Sequence, residues 1–125
     1  MSTTIQQLPA QANIECYAGD DFATTITFQV DDGTGNYVNA NFSGASAKMQ
    51  IKRRRGESSA LITLTSPSSG LIFPTTASLK IELTAAQTFS LSGIDLLYDL
   101  QITDSAGDAR TYLTGFFITK EQVTT

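Results

Sequence analysis

The chain lacks histidine and tryptophan altogether, and Cys16 is the single cysteine among its 125 residues. Without histidine, a Ser-His-Asp triad, a Cys-His pair and a histidine-ligated zinc site are all excluded. With one cysteine, no disulfide can form within the chain. A pair of carboxyl groups, as glycosidases use, is the main catalytic arrangement that the composition leaves open.

Charge is also scarce, and long apolar runs are missing. Charged residues make up 16% of the chain, against about 25% in typical proteins, and 18 threonines and 12 serines take up much of the difference. The net charge of −4 argues against long-range attraction to nucleic acid or to anionic membranes. No stretch approaches the ~18 apolar residues that a membrane helix needs. The first residues do not resemble a secretory signal, so we expect synthesis in a cytoplasm.

Two pairs of adjacent acids are the first candidates for chemistry, Asp20 with Asp21 and Asp31 with Asp32. Neighbouring side chains on a strand point to opposite faces, so neither pair is prepared as a catalytic dyad. The second pair opens a glycine-rich loop, but the twelfth residue from Asp31 is Phe42, where a calcium loop of the EF-hand type needs glutamate. We therefore expect turns there, no enzymatic activity, no metal and no cofactor.

Alternation of apolar and polar residues predicts half-buried strands of an antiparallel sheet. It is clearest over 22–30, 46–52, 79–83 and 97–103. Stretches rich in Asp, Asn, Gly and Ser between them predict turns. About seven to eight short strands separated by such turns indicate an all-β sandwich.

One segment breaks the alternation after residue 83. Thr84 is a suitable N-cap for one short helical turn. We expect Phe89 and Leu91, at the end of that turn, to enter the core.

The two ends of the chain suggest contacts with other proteins. Residues 1–12, which include Leu8 and Pro9, show no period and are interpreted as an extended arm, followed by a sandwich domain over 13–125. Such an arm either frays at the terminus or packs on a neighbouring subunit. The last strand is apolar on both faces, because Tyr112 and Phe116 alternate with Leu113 and Phe117. A strand apolar on both faces is covered on both, here by the arm or by another subunit.

One dense basic run follows a predicted strand and consists of Lys52, Arg53, Arg54 and Arg55. It is interpreted as a solvated loop, as a subunit contact, or as a patch that meets an acidic neighbour or a phosphate. Alternation divides its side chains between two faces, which weakens a nucleic-acid interpretation. The candidate interface residues are Leu8, Pro9, Arg53, Arg54, Arg55, Leu113 and Phe117.

Several motifs occur in an order that resembles small structural proteins of tailed bacteriophages, including the N-terminal domain of baseplate upper proteins. The motifs are YAGDDF at 17–22, GNYVNANFSG at 35–44, KMQIKR at 48–53, LKIELTAAQT at 79–88, YDLQITD at 98–104 and LTG at 113–115. The resemblance covers about 13–119. Phe42 and Ser43 stand where the family usually has Leu and Thr. The resemblance implies an immunoglobulin-like form of the sandwich.

The resemblance also implies a role in the virion. Such a protein would be a tail or baseplate connector or a fibre-attachment module, assembled in the host cytoplasm, that contacts other virion proteins and further copies of itself. Neither nucleic acid nor a membrane is expected as a partner. One alternative is a carbohydrate-binding module that touches the host surface, with Tyr37 as its main exposed aromatic residue. Another is a head decoration or collar protein of the same fold.

Overall fold

The computed structural model describes residues 2–5, 10–54, 56–67, 69–91 and 95–121. Those residues contain eleven β-strands and one short α-helix. In chain order the elements are β1 (Ser2–Ile5), β2 (Ala10–Gln11), β3 (Ile14–Tyr17), β4 (Phe22–Asp31), β5 (Tyr37–Asn39), β6 (Ser46–Lys52), β7 (Ile62–Thr65), β8 (Leu71–Thr75), β9 (Ser78–Leu83), α1 (Ala85–Ser90), β10 (Asp95–Thr103) and β11 (Ala109–Lys120). The strands beyond the seven or eight expected are short ones, too short for alternation to reveal them.

The strands form two sheets, which confirms the all-β sandwich. The first sheet has the order β1-β4-β9-β8, with β5 also paired to β4. The second has the order β2-β11-β10-β6-β7, with β3 also paired to β11. Sequence neighbours pair antiparallel, whereas the N-terminal strands β1, β2 and β3 run parallel to their partners.

The core lies between the sheets, where the expected alternation is confirmed. Strand β6 buries Ala47, Met49 and Ile51, and β10 buries every second residue from Leu96 to Ile102. The largest fully buried side chains are Tyr98, Phe28, Phe117, Met49, Ile51, Leu64, Leu71, Leu79, Ile81, Leu91, Leu96 and Leu100. Apart from Leu91, which follows α1, they come from both sheets, so burial of this apolar surface drives the sheets together.

The expected helical turn is present as α1 and begins at Thr84. The Thr84 hydroxyl accepts a hydrogen bond from the Gln87 backbone N–H at 3.2 Å, and the Gln87 side chain accepts one from the Thr84 N–H at 2.9 Å. This reciprocal pair is a capping box. Leu91 is buried as expected, but the placement of Phe89 in the core was wrong, because its side chain is 67% exposed. Thr88 is the buried residue of α1, so the polar side chain and not the aromatic one faces inward.

The last strand, β11, contains an irregularity that alternation could not anticipate. In its pairing with β10, Leu100 lies opposite Leu113 but Gln101 lies opposite Thr111, so Tyr112 is an extra residue. A bulge of this kind turns two successive side chains toward the same face. Leu113 is fully buried, and Tyr112 also packs against the core. The Tyr112 ring stacks edge-on against Phe28 at 5.5 Å between ring centres.

The N-terminal segment joins both sheets of its own chain. Strand β1 pairs with β4 of the first sheet, and β2 and β3 pair with β11 of the second. The carbonyl of Ala12 accepts a hydrogen bond from the Tyr98 hydroxyl at 2.7 Å. It also lies so close to Gly115 that a Cβ there would be 2.1 Å from the Ala12 oxygen. The described part of the expected arm is therefore paired within the chain.

Candidate functional site

A groove on the outer face of the second sheet is the principal candidate site. Its volume is about 330 Å³, and we call it the basic groove. The lining residues are Lys48, Gln50, Lys52, Arg54, Gly56, Leu97, Tyr98, Asp99, Gln101 and Thr111. They come together because Lys48 pairs with Gln101 and Lys52 with Leu97 in the ladder between β6 and β10. Alternate residues of a strand share a face, so the outward positions of β6 form one continuous wall.

The charge of the basic groove is positive. Lys48, Lys52 and Arg54 face one carboxylate, that of Asp99. The two lysines are four residues apart on one face of a strand, which corresponds to about 13 Å. Among the described residues, ion pairs within 4 Å join Lys80 to Glu82 and Lys120 to Glu15. None involves a cation of the groove within that part of the chain, so Asp99 forms no ion pair within 4 Å with these cations there.

This local charge opposes the charge of the remaining chain. Five of the eight lysines and arginines lie between residues 48 and 55. The rest of the chain therefore has three positive residues against twelve acidic ones. The net charge of −4 is therefore the sum of one basic segment and a strongly acidic remainder of the chain.

Apolar side chains border the basic groove on the same face. Phe116 of β11 is 51% exposed and lies opposite Leu97, which lines the groove. Ile118 follows two residues later on the same face and is partly exposed. Two covers were expected for this outer face, the N-terminal arm or another subunit. The described residues of the arm do not cover it, because β1 pairs with β4 and β2 lies beside β11 in the sheet. Cover by another subunit stays a prediction.

The structure does not bring the candidate interface residues together at one site. Arg54 lines the basic groove, while Arg53 is exposed and does not contribute to its lining. Alternation along the basic run predicted this division. Leu8, Pro9 and Arg55 lie outside the described residues.

Two of the candidates are corrected by the structure. Leu113 and Phe117 are both 0% exposed and belong to the core of their own chain. They were assigned to an interface because β11 is apolar on both faces, but their face is the inner one. The residue of β11 that offers apolar surface is Phe116, which sequence reasoning had placed on a covered face.

A second exposed feature is the hairpin that joins β4 to β5. All nine residues from 31 to 39 are exposed, and we call this segment the acidic hairpin. Its tip is ordered by side-chain oxygens. Oδ1 of Asp31 accepts from the backbone N–H groups of Gly33 at 2.8 Å and Gly35 at 3.3 Å. Oδ1 of Asp32 accepts from both the backbone N–H and the hydroxyl of Thr34, which lowers the pKa of Asp32.

In the first acidic pair, the Asp21 side chain and the Asp20 backbone both contact α1. Oδ1 of Asp21 accepts from the Ala85 N–H at 2.8 Å and so supports the start of α1. The Asp20 carbonyl accepts from the Thr88 hydroxyl at 2.8 Å. Within the described residues, no group of three or more His, Cys, Asp or Glu side chains is arranged to hold a metal ion. Cys16 is buried, and burial raises the pKa of its thiol to about 11.

Sequence reasoning missed part of the basic groove for a specific reason. The outward orientation of Lys48, Gln50 and Lys52 followed from alternation. That Gln101 and Thr111 complete the groove depends on the pairing of β6 with β10 and of β10 with β11, which no local pattern reveals. The exposure of Phe116 likewise depends on where the N-terminal strands lie.

Comparisons with protein-family models and with curated proteins identify no family for this chain. No protein-family model and no curated protein matches this chain. In the part of the chain that the structure describes, no helix is both long enough and apolar enough to cross a membrane.

Proposed function

We propose that this chain is a structural protein of a bacteriophage virion, a tail or baseplate connector or a fibre-attachment module, that acts through protein–protein contacts. In this proposal it is not an enzyme, it is located in the virion, and its partners are other virion proteins and further copies of itself, not nucleic acid or a membrane. The immunoglobulin-like form of the sandwich and the phage family belong to the same proposal and rest on the sequence resemblance.

The observation that supports the proposal best is the outer face of the second sheet. Exposed Phe116 lies beside Leu97 and the cations of the basic groove on one sheet. Aromatic residues and arginine are enriched in protein interfaces and dominate their binding energy. Lysine is depleted in interfaces, so Phe116 and Arg54 are the residues of this face that support a joining role. A sheet also holds its side chains at fixed spacings, which suits repeated contacts in an assembly.

Incorporation into particles tests this proposal. In the phage that encodes the chain, Phe116→Ser should strongly reduce the amount of this protein in purified particles, because it removes the exposed aromatic anchor. Phe89→Ser is the matched control, since Phe89 is also exposed but lies on α1. Both variants should keep the circular dichroism spectrum and thermal midpoint of the unmodified protein. Absence of the unmodified protein from particles would refute the proposal. Its location by electron microscopy would distinguish a tail position from a head or collar position.

Carbohydrate binding is a second candidate function, for which Tyr37 is the candidate residue. The expectation that Tyr37 is the main exposed aromatic residue was wrong, because Tyr17 is 51% exposed and Phe89 67%. The Tyr37 side chain is 41% exposed on the acidic hairpin, and sugar sites favour exposed aromatic rings. Binding on a glycan array that Tyr37→Ala abolishes would support this function over the first.

A further inference from the structure

The acidic hairpin is built to project from the sandwich. Nine consecutive exposed residues continue the hairpin beyond the region in which β4 pairs with β9. The hydrogen bonds to Asp31 and Asp32 fix its tip, so the projection has a definite shape. The side chains of Tyr37 and Val38 are 41% and 44% exposed on its returning strand. The hairpin thus combines an acidic tip with an apolar stem.

The basic groove has the complementary properties. Lys48, Lys52 and Arg54 are cations without a partner carboxylate within 4 Å among the described residues. Exposed Phe116 supplies an apolar border. A volume of about 330 Å³ is at the lower end of ligand sites, which suits the few side chains of a loop tip. The positive charge of the groove is therefore complementary to the acidic tip of the hairpin, and its apolar border is complementary to the apolar stem.

We propose that the acidic hairpin of one copy docks into the basic groove of a second copy. The hairpin belongs to the first sheet, whereas the groove lies on the outer face of the second, so each copy presents both surfaces. In this contact Asp31 and Asp32 approach the lysines, and Tyr37 approaches Phe116. The inference deepens the proposed function and rests on it, because it names a second copy as one of the partners.

The geometry of this contact has a consequence for assembly. A one-way contact of this kind is heterologous, and its repetition produces a closed ring or an open filament, whereas a reciprocal exchange of hairpins between two copies closes an isologous dimer. The ring and the filament are both useful forms for a connector. Each copy has a net charge of −4, so copies repel in general orientations and approach favourably only where opposite charges meet.

Analytical ultracentrifugation of the full chain over a range of concentrations and salt tests the contact. The unmodified protein should self-associate at low salt and dissociate at 1 M salt, because the screening length falls from about 10 Å at 0.1 M to about 3 Å at 1 M. Lys48→Glu with Lys52→Glu, the groove variant, should weaken association by at least about tenfold. Lys80→Glu with Arg110→Glu changes the net charge equally outside the groove and should retain association.

A hairpin variant gives an independent reading. Asp31→Asn with Asp32→Asn removes both charges but keeps the Oδ1 acceptors that order the turn. It should fold with a slightly lower thermal midpoint, because the Asp32 carboxylate accepts the Thr34 bonds more strongly than an amide does, and it should weaken association to a similar extent. Mixing the groove variant with the hairpin variant leaves one intact hairpin and one intact groove. The mixture should form a 1:1 dimer that does not grow, at concentrations where each variant alone stays largely monomeric because its association is at least about tenfold weaker.

Several results would overturn the proposal. They are a monomeric unmodified protein at every concentration and salt, association that neither variant changes, and a mixture that stays monomeric. A polyanion such as heparin that binds the unmodified groove but not the groove variant, without self-association, would assign the groove to another ligand. If the protein is monomeric but Phe116→Ser still prevents its incorporation into particles, this contact fails while the virion role stands. If self-association occurs but particles lack the protein, the virion role fails alone.

Discussion

The close approach of Ala12 to Gly115 predicts that Gly115→Ala destabilises the protein. A Cβ at this position would lie 2.1 Å from the Ala12 oxygen, whereas real Cβ atoms essentially never come within 3.0 Å of another heavy atom. The segment between β2 and β3 must therefore move by at least 0.9 Å, the difference between those two distances. Because the obstacle is backbone and not the end of a flexible side chain, no rotamer change relieves it.

That movement puts three hydrogen bonds at risk. The Ala12 N–H donates to the Thr114 carbonyl at 3.0 Å, and the Ala12 carbonyl accepts from the Tyr98 hydroxyl at 2.7 Å. The third joins the Phe116 N–H to the Asn13 side chain at 3.2 Å.

The size of the effect follows from these contacts. Each hydrogen bond contributes about 1 kcal/mol, overpacking costs about 1–3 kcal/mol, and reduced freedom of the unfolded chain returns about 0.4–1 kcal/mol. Complete loss of all three bonds would bring the total to about 3–6 kcal/mol. Because the bonds lengthen and do not break completely, we expect a net loss of about 2 kcal/mol in the free energy of unfolding. For a domain of this size, the thermal midpoint should fall by roughly 6–10 °C.

Urea and thermal unfolding measure this loss, and a double-mutant cycle identifies its cause. Tyr98→Phe alone should cost about 1–2 kcal/mol, because the Ala12 carbonyl loses its donor. In the Gly115→Ala background its cost should be clearly smaller, since the displaced carbonyl no longer meets the hydroxyl. A Gly115→Ala protein whose stability stays within about 0.5 kcal/mol of the unmodified protein, or strictly additive losses, would refute this account of the N-terminal segment.

Three further predictions concern other buried groups. The pKa of the Cys16 thiol is raised from 9.0 to about 11 in the folded state. The stability that the neutral thiol contributes is therefore complete below pH 9 and is lost as the pH rises toward 11. An equal fall of the thermal midpoint in Cys16→Ala over this pH range would contradict this prediction, as would rapid alkylation of the folded protein at about pH 7.5. Leu91→Ala should lower the free energy of unfolding by about 2–5 kcal/mol, whereas Phe89→Ser should change it by less than about 0.5 kcal/mol. Equal losses of the two variants in urea unfolding would argue against the orientation of α1. Thr88→Val should cost about 1–3 kcal/mol, because the Thr88 hydroxyl bonds both the Gly19 N–H at 3.0 Å and the Asp20 carbonyl at 2.8 Å, and an unchanged midpoint would contradict those bonds.

The comparison of sequence with structure is clearest at α1 and β11. Thr84 predicted the start of the helix correctly, because a capping hydroxyl bonds backbone groups only a few residues away in the sequence. The orientation of Phe89 could not be read in the same way. A helix of six residues is too short to show a period, and its inner side is decided by the turn at Gly19 and Asp20, far away in sequence. In β11, the bulge at Tyr112 depends on pairing with β10 and is invisible in β11 alone.

The sequence by itself determined the strands with clear alternation, the turns between them, the capped helical turn and the outward direction of Lys48 and Lys52. These features depend on side-chain direction and turn chemistry over a few neighbouring residues. Only the tertiary structure decided that the N-terminal segment pairs with both sheets, that Phe117 is core and Phe116 is surface, and that one groove collects cations on an acidic chain. The reason is physical: register between strands that are distant in sequence is set by the packing of the whole core, because a slip of one residue would exchange every buried side chain for an exposed one.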